Sequence, residues 1–250
     1  ERPDVHNAFD DEVIAQLISE LCRGLQALHD LQDEDGRKLG AVHRDVTPQN
    51  VIVTSDGKIK LVDFGIVFSP ASPQRTATGM VKGKLAYLSP EYLMGKIWDH
   101  RIDVWSVGVV LWEMLTGRRL FKGETPSATV SAVLAAQIPS PSTLRSTIPA
   151  ALCRITARAL ARNPHDRYDS MRTFASELEA FVEQTSPGLG SLDALDWLSG
   201  FPLGTGSAVM RIDRSPSPLP APIVEELDED EPTWQEPEVV PLPLVGGRPK

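Results

Sequence analysis

The chain has 250 residues, a formal net charge of −9 and only two cysteines. That length is enough for one large hydrophobic core or two smaller ones. No apolar run reaches the ~18 residues that a membrane span requires, and no basic stripe of the kind that binds nucleic acid is present. The cysteines form no CxxC pair, which suits a reducing compartment. We therefore expect a cytoplasmic protein with no nucleic-acid partner and no membrane segment in this chain.

Charge and proline divide the chain into two parts. Residues 1–185 carry 23 acidic and 21 basic side chains, whereas residues 186–250 carry 11 acidic and 4 basic ones, together with 11 of the 21 prolines. A Pro-rich acidic composition is typical of disorder. We predict a folded domain over 1–185 and a disordered tail over 186–250. One apolar island in that tail, at 192–201, could dock as a short helix.

The folded part contains strong helical patterns. Residues 9–29 place apolar side chains at the i, i+3, i+4 spacing of an amphipathic helix. Residues 103–116 are apolar nearly all round, which is typical of a helix in the middle of a core. Further helices are predicted at 126–137, 150–162 and 169–184. The predicted fold class is mainly α with one small β-hairpin inserted (α+β).

The hairpin lies between the first two helices. Two short β-branched and aliphatic segments, 51–53 and 60–62, flank an Asp-Gly dipeptide at positions 56–57, which is the strongest short hairpin signal. A two-residue turn there would place Asn50 opposite Asp63. An amide oxygen and a carboxylate at the same end of a ladder could hold a hard cation such as Mg²⁺.

Five motifs occur in order along the folded part of the chain. They are His43-Arg44-Asp45 with Asn50, Asp63-Phe64-Gly65, Ser89-Pro90-Glu91, the segment Asp103-Val104-Trp105-Ser106-Val107-Gly108, and Arg167. Together they resemble the motifs of the protein kinase family. A single tripeptide is weak evidence, whereas five motifs in order on predicted loops and helix starts are specific. The resemblance is to bacterial-type serine/threonine kinases.

The resemblance implies roles in phosphoryl transfer from ATP to a protein Ser or Thr. Asp45 would orient the substrate hydroxyl and accept its proton. Asn50 and Asp63 would hold the Mg²⁺ ions that bridge the ATP phosphates, and Ile52 would lie under the adenine.

Regulatory and structural roles also follow from the resemblance. Arg44 would pair with a phosphate on the long loop after the hairpin, where Thr76 and Thr78 resemble autophosphorylation sites. Glu91 would pair with Arg167. The positions with an implied structural role are His43, Phe64, Glu91, Asp103 and Arg167.

Two positions depart from the family pattern. Serine/threonine kinases usually carry Lys two residues after the catalytic Asp, where this chain has Thr47. They usually carry Thr after the Gly of the substrate-binding stretch, where this chain has Lys84. We predict an exchange of roles, in which the Lys84 ammonium acts on the γ-phosphate and the Thr47 hydroxyl bonds Asp45.

The family's glycine-rich loop and V-A-I-K lysine are missing from the sequence. We therefore expect the carboxy-terminal lobe only, beginning at Glu1 as a piece of something longer, with the N-lobe as its missing partner. Such a lobe alone would transfer phosphate poorly, because the roof of the ATP site is absent. Two alternatives are a non-catalytic interaction module with a Pro-rich docking tail and a small-molecule phosphotransferase. Tyrosine is a less expected target, since the A-A-R-N and R-A-A-N forms of the catalytic loop are missing.

Overall fold

The computed structural model describes residues 11–53, 59–62, 67–68, 83–189 and 210–211. All of them lie in the first of two compact units, residues 1–213, and none lies in the second, residues 214–250. The described residues form six α-helices: α1 (Asp11–His29), α2 (Pro90–Leu93), α3 (Arg101–Thr116), α4 (Pro126–Ala135), α5 (Ala150–Ala159) and α6 (Met171–Thr185). Short 3₁₀ helices span Pro48–Asn50, Lys84–Tyr87, Pro141–Thr143 and Pro164–Asp166.

All five predicted helices are confirmed, and each end either matches the expected residue or differs from it by at most three residues. The apolar surface of α3 explains its place in the core, because Trp105 and Leu111 are completely buried. Gly108 permits close packing here: a Cβ at this position would lie 3.0 Å from side-chain atoms of Ala159 and Leu160. The mainly-α fold with a small β component is therefore confirmed.

Helix α1 is amphipathic and packs its apolar face against α6 and α3. The buried apolar residues of that face are Val13, Ile14, Ala15, Leu17, Ile18, Leu21, Cys22, Leu25 and Leu28. At the end of this helix His29 is also buried. The packing of α1 against α6 and α3 therefore fixes the position of His29 at the C-terminal end of α1.

Two small antiparallel sheets flank residues 43–50, the loop that carries the H-R-D motif. Strand β1 (Ala41–Val42) pairs with β4 (Val67–Phe68). Strand β2 (Val51–Val53) lies between β3 (Ile59–Leu61) and β5 (Met210–Arg211). Strands of two residues have no usable period, so β1, β4 and β5 were not predicted.

The predicted hairpin exists, but its register was wrong by one residue. Val51 pairs with Leu61 and not with Val62, and the Val62 amide donates to the Asn50 carbonyl at 2.9 Å. The last pair is Val53 with Ile59, so five residues connect the strands, an odd number that a two-residue turn at Asp56-Gly57 cannot supply. Asn50 is therefore opposite Val62, and not opposite Asp63.

The region predicted as a disordered tail contains one described element. Met210 and Arg211 pair with Val53 and Ile52 at the free edge of β2. The helix proposed at 192–201 lies outside the described residues, and the disordered tail stays a prediction.

The two cysteines differ in burial. Cys22 is buried, and burial raises the pKa of its thiol well above the ordinary value. Cys153 is only half-buried.

Within the described ranges, every helix is too short or too polar to cross a bilayer.

Candidate active site

A buried carboxylate holds the loop that carries the H-R-D motif. Asp103, in the first turn of α3, is completely buried. Its Oδ2 accepts from the His43 amide at 2.9 Å and its Oδ1 accepts from the Arg44 amide at 2.9 Å. The His29 ring reaches the same Oδ2 at 2.8 Å through Nε2. Asp103 thus ties the catalytic loop to the central helix, which agrees with its predicted structural role.

This anchoring offsets a strained backbone. Arg44 has a φ of 67°, the left-handed region, in which a residue with a Cβ costs about 1–2 kcal/mol. The two amide bonds to Asp103 stabilise that conformation. The turn at Arg44 leads directly to Asp45, so strain and anchoring occur together at the residue expected to do the chemistry.

Two predicted site residues, Asn50 and Lys84, converge on the carboxylate of a third, Asp45. The Asn50 amide nitrogen donates to Asp45 Oδ2 at 2.9 Å and to the Asp45 carbonyl at 2.8 Å. The Lys84 ammonium donates to the same Oδ2 at 2.5 Å. The Asp45 side chain is 19% exposed and that of Lys84 is 39% exposed, so the pair is accessible to a substrate.

Lys84 reaches Asp45 because its own segment is firmly packed. It begins the 3₁₀ helix Lys84–Tyr87, in which Leu85, Ala86 and Tyr87 are buried. The Ser106 hydroxyl donates to the Tyr87 carbonyl at 2.8 Å and so fixes this segment to α3. The predicted proximity of Lys84 to Asp45 is therefore present.

The predicted bond from Thr47 to Asp45 is not formed. Thr47 is 1% exposed, and its Oγ1 has no hydrogen-bond partner in the part of the chain that the structure describes. Sequence adjacency suggested the contact, but the extended backbone of Thr47 (φ −141°, ψ 158°) ahead of Pro48 leaves the hydroxyl buried and unbonded. Lys84 alone carries the evidence for an exchange of roles.

The His43 side chain supports the loop that carries Asp45. Its Nδ1 accepts from the Asp45 amide at 3.3 Å. Burial lowers the pKa of His43, and the nearby carboxylates of Asp103 and Asp45 only partly oppose that effect. A neutral imidazole is therefore favoured beside Asp45, in agreement with the predicted structural role.

Arg44 is held by two aromatic side chains. Its guanidinium donates to the Tyr92 hydroxyl, and its Cζ lies 5.1 Å from the Tyr92 ring centroid and 5.3 Å from that of Trp98. Cation–π contacts of this kind are stabilising. The expected phosphate partners, Thr76 and Thr78, lie outside the described residues.

The predicted Glu91–Arg167 pair is present and buried. Arg167 donates through NH1 and NH2 to the two carboxylate oxygens of Glu91, at 2.7 and 2.8 Å. It also donates to the carbonyls of Ala161 and Arg101, and its guanidinium lies 4.9 Å from the Trp105 ring. The pair joins the segment after Lys84 to the start of α3.

The remaining predicted site residues are placed only in part. Ile52 lies in β2 and is half-buried, opposite Lys60. Asp63 and Phe64 lie outside the described residues. Asn50 supplies one amide oxygen of the kind that Mg²⁺ binds, and the second predicted ligand, Asp63, is not among the described residues, so the magnesium site stays a prediction.

Sequence reasoning missed three residues that hold the loop with the H-R-D motif. His29 lies 74 positions before its partner Asp103, and Tyr92 and Trp98 contact Arg44 across more than 45 positions. The sequence offered one signal for His29: it is a polar residue at the end of the apolar face of α1.

Comparisons with known proteins agree with this geometry. Residues 3–178 match the family model described as a protein kinase domain. The chain is 37% identical over 188 residues to a Myxococcus xanthus protein named tyrosine-protein kinase MasK, covering 75% of this chain and 29% of that protein. It is also 37% identical over 171 residues to serine/threonine-protein kinase PknL of Mycobacterium tuberculosis, covering 68% and 41% of the two chains. A third relative is serine/threonine-protein kinase PknH of Mycobacterium bovis, 30% identical over 234 residues, with 93% and 37% covered.

The loop with the H-R-D motif, its anchor Asp103 and the buried Glu91–Arg167 pair agree with the match to the protein kinase domain. The chain belongs to the protein kinase family, of the bacterial type. It spans less than half the length of each of these three relatives.

Proposed function

We propose that this chain is the carboxy-terminal lobe of a serine/threonine protein kinase, which transfers the γ-phosphoryl group of ATP to protein hydroxyls. The convergence of Asn50 and Lys84 on the Asp45 carboxylate carries the proposal. Two of these residues come from the loop held by Asp103, and the third comes from a separate packed segment. Such pre-organisation is what phosphoryl transfer requires, because catalysis there rests on positioning and electrostatics.

Each residue has a distinct task in this proposal. Asp45 orients the substrate hydroxyl and takes its proton as the bond to phosphorus forms. Asn50 holds Asp45 through its amide nitrogen and offers its amide oxygen to Mg²⁺, with Asp63 as the second ligand. Magnesium, when bound, neutralises charge on the phosphates of ATP.

Lys84 takes the place of the lysine that the family usually carries two residues after the Asp. Its ammonium bonds Asp45 Oδ2, and the same flexible side chain can reach a phosphate beside that carboxylate. Thr47 has a packing role in this proposal, because its hydroxyl is buried away from Asp45.

The chemical identity of the product tests the substrate class. The full gene product that contains this chain is incubated with Mg²⁺, labelled ATP and a protein substrate, and the phosphorylated residues are identified by mass spectrometry. Phosphoserine and phosphothreonine are expected. Phosphotyrosine as the main product would place the protein with the relative named tyrosine-protein kinase, and no transfer at all would favour a non-catalytic interaction module.

A second test concerns the lobe by itself. We propose that the 250-residue chain needs an N-lobe to bind ATP well, because the sequence contains no glycine-rich loop and no V-A-I-K lysine to hold the phosphates. Calorimetric titration with ATP and Mg²⁺ should give weak binding. Tight, Mg²⁺-dependent binding to the chain alone would contradict this part of the proposal.

A further inference from the structure

A cavity lies away from the Asp45 site. It has a volume of about 350 Å³ and opens between the end of α1, strand β1, the loop before α3 and the loop before α6. Asp45, Asn50 and Lys84 do not line it. Its volume is within the range of small-molecule sites.

The cavity contains a buried polar side chain with an unused atom. His29 lines it and is only 8% exposed. Its Nε2 contacts the Asp103 carboxylate, which can only accept when ionised, so Nε2 carries the proton. In the tautomer with its proton on Nε2, Nδ1 is an acceptor, and it has no partner among the described residues. Buried polar atoms are nearly always hydrogen-bonded, so Nδ1 is available to a donor that enters the cavity.

The walls suit a flat aromatic molecule. Trp98 and His100 line the cavity together with the aliphatic residues Ala41 and Val42. The His100 ring lies 5.4 Å from that of His29 at an interplanar angle of 56°, so two ring planes border the same space. Aromatic side chains favour stacked or edge-on aromatic partners.

The charges at the rim are largely paired within the protein. Asp30 is engaged by Lys38 at 3.3 Å and by Arg172 at 3.2 Å. Asp99 lies 3.7 Å from the Arg101 guanidinium. Because the rim offers little unpaired charge of either sign to a ligand, a neutral ligand is preferred.

We propose that this cavity binds a small, neutral, flat aromatic molecule that donates one hydrogen bond to His29 Nδ1. Its occupancy bears on the catalytic loop by two routes. His29 contacts Asp103, which holds the amides of His43 and Arg44, and Trp98 contacts the Arg44 guanidinium. The proposal does not depend on kinase activity.

Indole is a suitable probe, because it is flat, neutral and carries one N–H. Benzofuran is the matched control, with an oxygen in place of the N–H. Titration of the ¹⁵N-labelled 250-residue chain, followed by amide chemical shifts, should give a saturable indole Kd on the order of 1 mM. Benzofuran should bind about fivefold more weakly, since it lacks the donor. The amides of His43 and Arg44 should shift with indole.

Variants locate the binding. Trp98→Ala should weaken indole binding about tenfold, because it removes an aromatic wall. If that variant does not fold, Ala41→Ile, which fills the cavity, should give the same loss. Glu183→Ala, on α6 away from the cavity, should bind as the wild type does. Equal affinity for the two probes, or no saturation by about 10 mM indole, would overturn the proposal.

Discussion

The segment 84–91 contributes one residue to each of two carboxylate–cation pairs. The Asp45–Lys84 pair lies at its start and the Glu91–Arg167 pair at its end, and the two pairs differ in burial. The side chains of Glu91 and Arg167 are 7% and 0% exposed, whereas those of Asp45 and Lys84 are 19% and 39% exposed. Arg167 also bonds backbone carbonyls, so its buried charge is well satisfied. The same chemistry therefore serves two purposes: the buried pair holds the fold, and the accessible pair is available to a substrate.

The largest expected effect tests the structural half of this comparison. Arg167→Ala leaves the Glu91 carboxylate buried without its partner, and should lower the free energy of unfolding by about 3–5 kcal/mol. Urea denaturation of the chain measures it. Arg23→Ala is the matched control, because the Arg23–Glu179 pair is 68% and 32% exposed and should cost at most about 1 kcal/mol. Similar losses in both variants would contradict the account.

The functional half is tested by Lys84→Ala in the full gene product. Removal of one charge beside the reacting groups should lower the rate of phosphoryl transfer about 100-fold. The free energy of unfolding should change by less than about 1 kcal/mol, because the pair is partly exposed. Lys122→Ala, an exposed lysine far along the chain, is the control. Equal rates for Lys84→Ala and wild type would end the idea that Lys84 replaces the usual lysine.

His43 supplies a pH-dependent test of the loop support. Because burial lowers its folded-state pKa, the unfolded chain binds a proton more readily than the folded chain. Stability from the neutral ring is thus complete above the ordinary histidine pKa of about 6.5 and is lost as pH falls through the folded value.

The free energy of unfolding should therefore fall more steeply below about pH 6.5 in the wild type than in His43→Phe. Urea titrations between about pH 8 and pH 5 measure this difference. Identical pH profiles would mean that His43 does not carry this contribution.

The smallest expected effect concerns Thr47. Its hydroxyl is buried and unbonded among the described residues, so Thr47→Val removes a desolvated polar group and keeps the shape. Stability should stay the same or rise by about 1 kcal/mol. Phosphoryl transfer should also stay near the wild-type rate. A large loss of activity would restore the predicted bond to Asp45.

Helices were predictable because their apolar spacing extends over ten or more residues. Helix α3 is the clearest example, since a segment that is apolar nearly all round is typical of a helix in the middle of a core. The hairpin was predictable as an element but not in register, because a β-ladder slips by one residue when the connection has an odd length. Strand β1 is too short to carry any pattern.

The site was predictable only where family motifs record long-range contacts. The motif order implied that Glu91 meets Arg167 and that Lys84 approaches Asp45, and both contacts are present. The predicted bond from Thr47 to Asp45 was wrong, because the direction of one hydroxyl depends on local backbone angles that no motif encodes. His29 was missed for a similar reason, since only the packing of α1 against α3 brings it to Asp103.

The most direct test of the central claim is the rate of phosphoryl transfer by Asp45→Asn in the full gene product. This change keeps the size of the side chain and removes its ability to accept the substrate proton. The account predicts a fall of about 100-fold or more with an unchanged unfolding transition. A rate within about threefold of the wild type would contradict the assignment of Asp45 as the centre of the site.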